Sequence, residues 1–336
     1  MIKTPVLIPT LNRYVHLKRC VDSLLENQEA RETELFISVD YPPNETYIEG
    51  YEKVRDYVST ISGFKDVHLY YQSENIGPGL NQFFLMDEIK KNYDFCVYAD
   101  DDIEFSKNSL AYLNWGLNQF KNDPSVYSVC CGVDYQLPIK GDYVRSHSFC
   151  PFGVGYWFDK WQACADWLTD ENILKLLHTK QDTDRLFDVS QKAYSYLIGD
   201  LLREVPDMRG RSGKPTVIDI WEGIYCAVND KYNILPSVPK SRNGGFDGSG
   251  VHEFDVDAMN KVFDEGDVWP ENPQHFESDD AIDAAQYREF SRRKLKKQIR
   301  DRGALFVYRH FSEKQFELLR RILTKNAVKE HSVYYG

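Results

Sequence analysis

The sequence predicts an α/β protein whose central sheet is mostly parallel and covered by helices on both faces. Two observations lead there. Short, almost wholly apolar runs alternate with stretches whose apolar residues recur at helical spacing, and strands buried on both faces need such continuous apolar runs. Three polar motifs also fall just past the carboxyl ends of those runs, where ligands of parallel sheets collect.

The elements follow in order. Pro5-Val6-Leu7-Ile8-Pro9 reads as a first strand and Val15 to Leu25 as a helix. Leu35 to Asp40 is a second strand, ended by Pro42-Pro43, and Tyr47 to Ile61 is helical. Val67 to Tyr71 is a third strand, Leu80 to Ile89 a helix, and Phe95 to Ala99 a fourth strand. Ser109 to Phe120 is again helical, and Val126 to Cys131 is a fifth strand. From Gly132 to Lys240 the pattern is less regular and rich in aromatics, as expected of a region that receives an acceptor. Ser241 to Gly250 is a loop of Gly, Ser, Asn and Asp, and Glu313 to Thr324 is a final helix. The expected organisation is a domain over residues 1–252, with a nucleotide-binding half (1–132) and an acceptor-side half (133–252), then a mainly helical extension over 253–336.

With 336 residues the chain is long enough to bury a substantial core, and 42% hydrophobic with 28% charged residues suits a globular protein. A net charge of −11 argues against nucleic-acid binding through a global positive field. Seven cysteines without a Cys-x-x-Cys pair favour buried thiols in a reducing compartment. The start, Met1-Ile2-Lys3, shows no signal-peptide pattern, and no apolar run approaches the roughly eighteen residues of a membrane span. A cytoplasmic placement is expected. Arg292 to Lys297 forms a basic run that suits either a solvated helix face or peripheral contact with anionic lipid at the inner face of a membrane.

Asp100-Asp101-Asp102 follows the fourth strand directly. Three adjacent carboxylates in a dry core would repel one another and lose hydration, so they need an open strand end and preferably a cation. Oxygen ligands suit Mg²⁺ or Mn²⁺ bridging to phosphate oxygens of a nucleotide diphosphate. Asp102 is assigned to the metal, Asp101 to ribose or a metal-bound water, and Asp100 to positioning; the alternative is an acidic turn. Thr10, Asn12 and Arg13 can close around a nucleotide or cap the next helix. Asp40 can accept from a base or ribose, or cap the Pro42-Pro43 turn. In Asn75-Ile76-Gly77-Pro78-Gly79-Leu80-Asn81 the glycines permit close backbone approach, with Asn75 and Asn81 as further nucleotide contacts; the segment equally suits a simple loop entering a helix.

Ser241 to His252 carries four glycines, Arg242 and His252, which fits a lid over diphosphate or a plain surface loop. Arg242 or Lys240 supplies positive charge there, and His252 a donor to phosphate. Inverting sugar transfer needs a base for the acceptor hydroxyl. Asp219-Ile220-Trp221-Glu222 offers two carboxylates, with Asp219 the first choice and Glu222 the second; either can instead cap a helix. Trp157 and Trp221 can stack on sugar rings, although core packing is the default for a tryptophan.

These residues resemble the metal-dependent glycosyltransferases of the GT-A fold. Pro9-Thr10-Leu11-Asn12-Arg13, Asp40 and Asn75-x-Gly77 through Asn81 are similar to the bacterial inverting family 2 transferases. The longer pattern resembles the animal N-acetylglucosaminyltransferase I enzymes: Asp100 to Glu104, Pro124-Ser125-Val126, Gly153 to Trp157, Asp219-Ile220-Trp221 and Ser241 to His252. The resemblance implies Asp102 as the Mn²⁺ ligand, Asp101 on ribose, Arg13 and Asp40 on the nucleotide, and Asp219 as general base. It implies a nucleotide-sugar donor, UDP-sugar favoured, and a glycan, glycolipid or glycoprotein acceptor. The family's triplet begins with Glu where Asp100 stands here. Two other readings stand beside it. A nucleotidyltransferase forming nucleotide sugars would want a Gly-rich basic loop after strand one, which Pro9 to Arg13 lacks, and a carbohydrate-binding module would use the same residue types without turnover.

Overall fold

The computed structural model describes residues 4–133, 141–203, 218–248, 264–276, 283–285, 288 and 295–324. Its strands are β1 (Val6–Thr10), β2 (Glu34–Val39), β3 (Asp66–Tyr71), β4 (Phe95–Tyr98), β5 (Ile103–Phe105), β6 (Val126–Cys130), β7 (Tyr143–Ser146), β8 (Val154–Trp157), β9 (Tyr232–Pro236) and β10 (Ser241–Asn243). Eight of them form one sheet in the order β3-β2-β1-β4-β8-β6-β9-β7. The half β3-β2-β1-β4 is parallel, as the apolar runs require. β8 enters antiparallel between β4 and β6, β9 lies parallel to β6, and β7 closes the edge antiparallel to β9.

The helices are α1 (Tyr14–Leu25), α2 (Ile48–Val58), α3 (Pro78–Ile89), α4 (Ser109–Gln119), α5 (Phe158–Trp167), α6 (Asp170–His178), α7 (Lys180–Val189), α8 (Gln191–Arg203), α9 (Ile218–Val228), α10 (Leu295–His310) and α11 (Glu313–Thr324). The first four, and α11, fall where the apolar periodicity places them. Successive side chains of a strand point to opposite faces, and β1 shows the result. Val6 and Ile8 pack with Leu17, Val21, Val54 and Leu113, while Leu7 joins Phe83, Met86 and Trp161 on the other face.

The region read as less regular contains four consecutive helices, α5 to α8, besides strands. α5 adds Phe158, Trp161 and Cys164 to the sheet-facing cluster that holds Leu7, whereas the apolar residues of α6 to α8 pair mainly with other helices, in a third cluster. Leu186, Leu197, Trp221 and Ile224 meet Ala304, Leu305 and Phe316 there, so α10 and α11 share a core with α6 to α9. The buried Asp301 ties this unit together, accepting from Ser195 Oγ at 3.0 Å and from the neighbouring Arg300. All seven cysteines are buried and none is in a disulfide. Trp157 and Trp221 are both core residues; the indole N–H of Trp157 donates to the Leu117 carbonyl at 3.1 Å. No helix among the described residues is long and apolar enough to cross a membrane.

Candidate active site

The carboxyl ends of β1, β2 and β4 bring the predicted motifs to one edge of the sheet. β4 stops at Tyr98, and the chain turns through Asp100, Asp101 and Asp102 before resuming as β5. β5 does not join the main sheet. It pairs antiparallel with β10, with Phe105 opposite Ser241, Glu104 opposite Arg242 and Ile103 opposite Asn243. This ribbon clamps the far end of the aspartate turn to the glycine-rich segment; Gly244 N–H donates to the Asp102 carbonyl at 2.8 Å.

Arg13 crosses from the end of β1 to two of the three aspartates. Its guanidinium pairs with Asp101 Oδ1 and lies 2.9 Å from Asp102 Oδ2. Burial opposes its charge, but Asp101 and Asp102 outweigh burial and raise the Arg13 pKa. Thr10 Oγ1 donates to Asp101 Oδ2 at 2.7 Å, so each oxygen of Asp101 already accepts one bond. Burial still pushes the Asp101 pKa up despite Arg13. Asp100 accepts from the Tyr98 hydroxyl at 2.8 Å. Its pKa is pushed up to about 7, mainly by burial and then by the charge of Asp102, with Asp101 and Asp219 adding to it and Tyr98 opposing. Tyr98 was not singled out in the sequence; its place one strand residue before Ala99 gave no sign that its hydroxyl would fold back on the turn.

Asp102 Oδ1 is buried and has no hydrogen-bond partner, the one carboxylate oxygen in that position among the described residues. Leaving a buried carboxylate oxygen bare is costly, so it marks the point where a cation or a donor from a ligand fits. Gly245 backs onto the same carboxylate: a Cβ there would fall 2.1 Å from Oδ2. Among the described residues no group of three or more His, Cys, Asp or Glu side chains forms a closed metal cage. The chemistry of the site therefore fits a hard cation with one protein oxygen and its other ligands drawn from phosphate oxygens and water.

Asp40 is buried and its oxygens are taken by the chain itself. Oδ1 accepts from Tyr41 N and Ile76 N, and Oδ2 from Gly77 N and Asn75 Nδ2. Burial raises its pKa while those backbone N–H groups hold it down. Asp40 thus fixes the loop that enters α3, where Gly77 adopts φ +79 ahead of Pro78 at the first helical position. Asn75 also reaches the Tyr41 carbonyl at 2.7 Å. Asn12 lies half-buried in the loop after β1. Asn81, expected as a nucleotide contact, lies inside the fold. It is only 1% exposed and bolts α3 to β2, accepting from Ser38 Oγ and donating to the Ser38 carbonyl at 3.1 Å.

The two candidate bases separate by environment. Both lie on α9, three positions apart, but Glu222 is 1% exposed and Asp219 is half-buried. Glu222 accepts from the Tyr127 hydroxyl at 2.7 Å and from the Tyr156 hydroxyl at 3.1 Å. Burial pushes its pKa up to about 8, against the two tyrosines. The charge of Asp219 raises the pKa of both Asp100 and Glu222, so it lies near both carboxyls.

The described part of the glycine-rich segment, residues 241–248, is held at several points. Its first residues are β10, His16 Nε2 meets Asp247 Oδ2 at 2.9 Å, and Phe246 packs edge-on to Phe152. Arg242 faces Glu104, with contacts of 3.0 and 2.6 Å. Lys240 is buried beside Asp264 and 4.8 Å from the Trp269 ring centroid. His252 lies outside the described residues, as do Arg292 to Lys294 of the basic run.

No curated protein matches the chain. Among solved structures it is similar to S. aureus TarS 1–349 in complex with UDP, at 15% identity, TM-score 0.38, covering 61% of this chain and 81% of that one. It is also similar to mannosyltransferase PcManGT from Pyrobaculum calidifontis in complex with GDP-Man and Mn²⁺. The identity there is 14% and the TM-score 0.37, covering 66% of this chain and 69% of that one. The sequence model described as glycosyl transferase family 2 matches residues 6–178. That stretch is just over half of the 336 residues and holds the strand ends that carry Arg13 and the aspartate turn; the chain belongs to glycosyl transferase family 2.

Proposed function

We propose that this enzyme transfers a sugar, with inversion, from a nucleotide diphosphate sugar to a hydroxyl of a glycan, glycolipid or glycoprotein, with UDP-sugar the favoured donor. The observation that carries this reading is the unpartnered, buried Asp102 Oδ1 at a strand-end crevice lined by Arg13, Asp101 and the bare backbone of Gly245. Thr10 and Arg13 hold Asp101 so that its remaining lone pairs face a ribose hydroxyl. Asp40 acts by fixing the Asn75–Gly77 backbone along the nucleotide edge. Asn12, half-buried in the loop after β1, is proposed as a further nucleotide contact. Arg242 orients Glu104 at the ribbon, and His252 is proposed as a donor to the leaving diphosphate.

Asp102 would hold a divalent cation, Mn²⁺ or Mg²⁺, which would supply charge neutralisation for the departing diphosphate. Asp219 is the proposed base. Its carboxylate takes the proton of the acceptor hydroxyl as that oxygen bonds to the anomeric carbon, and the bond to the diphosphate oxygen breaks with its electron pair. Burial of Glu222 between two tyrosines favours Asp219 for this step. The experiment is a panel of UDP- and GDP-sugars scored for release of nucleoside diphosphate, with and without a chelator, followed by NMR of the product anomer. Chelator-sensitive release and an inverted anomer are expected. Release indifferent to chelator, or from no donor in the panel, overturns the reading.

A further inference from the structure

The last two helices carry apolar side chains on the wrong side for a core. In α10, Leu295, Ile299 and Phe306 are 61%, 65% and 57% exposed. Their spacing of four and seven residues puts them within about 40° of one another around the helix axis. Asp301, Ala304 and Leu305 form the buried side of the same helix. In α11, Leu318 and Ile322 are 62% and 60% exposed, one turn apart, while Phe316 and Arg320 face inward. Both helices pack on α8 and on each other, so their outer sides form one surface.

Charge distinguishes this surface from an accidental apolar patch. Residues 295–324 contain eight Lys and Arg against three Asp and Glu, within a chain of net charge −11. Two of those acids are already answered: Asp301 is buried beside Arg300, and Glu317 pairs with Arg320 at 2.6 Å. Lys296, Arg300 and Arg302 flank the apolar strip of α10, and Lys314 and Arg321 flank that of α11; all five are exposed. An apolar strip bordered by Lys and Arg is the signature of a helix that lies in a bilayer interface, its apolar side chains among the acyl chains and its cations at anionic headgroups. We propose that the outer face of α10 and α11 docks this enzyme on an anionic phospholipid surface. A second copy of the chain suits the face less well, since apposing two such patches would bring like charges together.

The test is flotation of the full chain with vesicles of phosphatidylcholine alone and of phosphatidylcholine mixed with phosphatidylglycerol. Binding to the mixed vesicles is expected, weakening as salt rises because screening shortens the reach of the headgroup field. Phe306→Glu with Leu318→Glu should lower the bound fraction at least about tenfold, and Lys296→Glu with Lys314→Glu should lower it selectively for anionic vesicles. Circular dichroism should show each variant folded, since all four positions are exposed. No binding, or equal binding to neutral vesicles, overturns the proposal. So does light scattering that shows a dimer which the first variant makes monomeric without any vesicle binding. Vesicle binding is read without turnover, so it stands or falls independently of sugar transfer.

Discussion

Gly245 is packed against the carboxylate of Asp102 so closely that a methyl group on its Cα would sit 2.1 Å from Oδ2 and 3.0 Å from Asn243 Oδ1. The strand pair β5–β10 holds the two segments in that register, so the clash cannot be relieved by sliding one past the other. Gly245→Ala should displace the Asp102 side chain and weaken binding of UDP with Mn²⁺ by about tenfold or more, a loss of roughly 1.4 kcal/mol. Isothermal titration calorimetry reads it directly; unchanged affinity would show that Asp102 does not face the ligand.

Asp102→Asn keeps the shape of the side chain and removes its charge. Metal-dependent affinity for the nucleotide diphosphate should fall by about a hundredfold, near 2.7 kcal/mol. Arg13 loses one of its two partners in this variant, while its pairing with Asp101 keeps it in place. Calorimetry with and without Mn²⁺ separates the two effects, and a variant that still shows the full Mn²⁺ dependence overturns the assignment.

Asp219→Asn should leave donor affinity near the native value and lower kcat by about 10²-fold or more, the range of a positioned base. Glu222→Gln keeps both tyrosine contacts and should retain most of kcat. A reversal of these outcomes moves the base to Glu222.

Glu222 also predicts a pH dependence of stability. Its folded pKa of about 8 lies above the ordinary 4.5, so the folded state binds the proton more tightly than the unfolded state. That contribution is complete below pH about 4.5 and is lost as pH rises through about 8. Thermal melts of Glu222→Gln should fall less over this window than those of the native chain. Parallel curves would place the carboxyl in a different protonation state.

Asp40→Ala strips partners from the amides of Ile76 and Gly77. A cost of about 1–3 kcal/mol per buried orphaned donor follows, tempered by how much water reaches the loop. Hydrogen exchange should speed up at residues 75–77 before it does so in β1 or β2.

The parallel half of the fold was legible because its strands are buried on both faces, and the place of the aspartate turn at a strand end was legible because it follows the apolar run Phe95 to Ala99 directly. Asn81 shows what spacing leaves open: beside a glycine-rich turn it reads as a ligand contact, and in the fold the helical phase from Pro78 points it at Ser38. Glu222 and Asp219 could not be separated by spacing, since a difference of three positions puts both near one face of a helix. The third dimension divides them, because Tyr127 and Tyr156 come from β6 and β8. Helices α6 to α8 show no such signal because their apolar residues pair with helices distant in sequence, including α10 and α11, so no local pattern announces a sheet-facing side.

The β5–β10 ribbon joins residues about 140 positions apart, and that separation sets an order of events during synthesis. Domains begin to fold from the amino end while the chain is still being made. The sheet from β1 to β4 can assemble early, with Asp100, Asp101 and Asp102 already at its rim, yet Gly244 and Gly245 reach them only after the last sheet strand, β9, has been made. Until then the nascent chain carries an unfinished cluster of carboxylates, with Arg13 as its built-in counter-ion. The aspartate turn therefore gains its last neighbours late in synthesis.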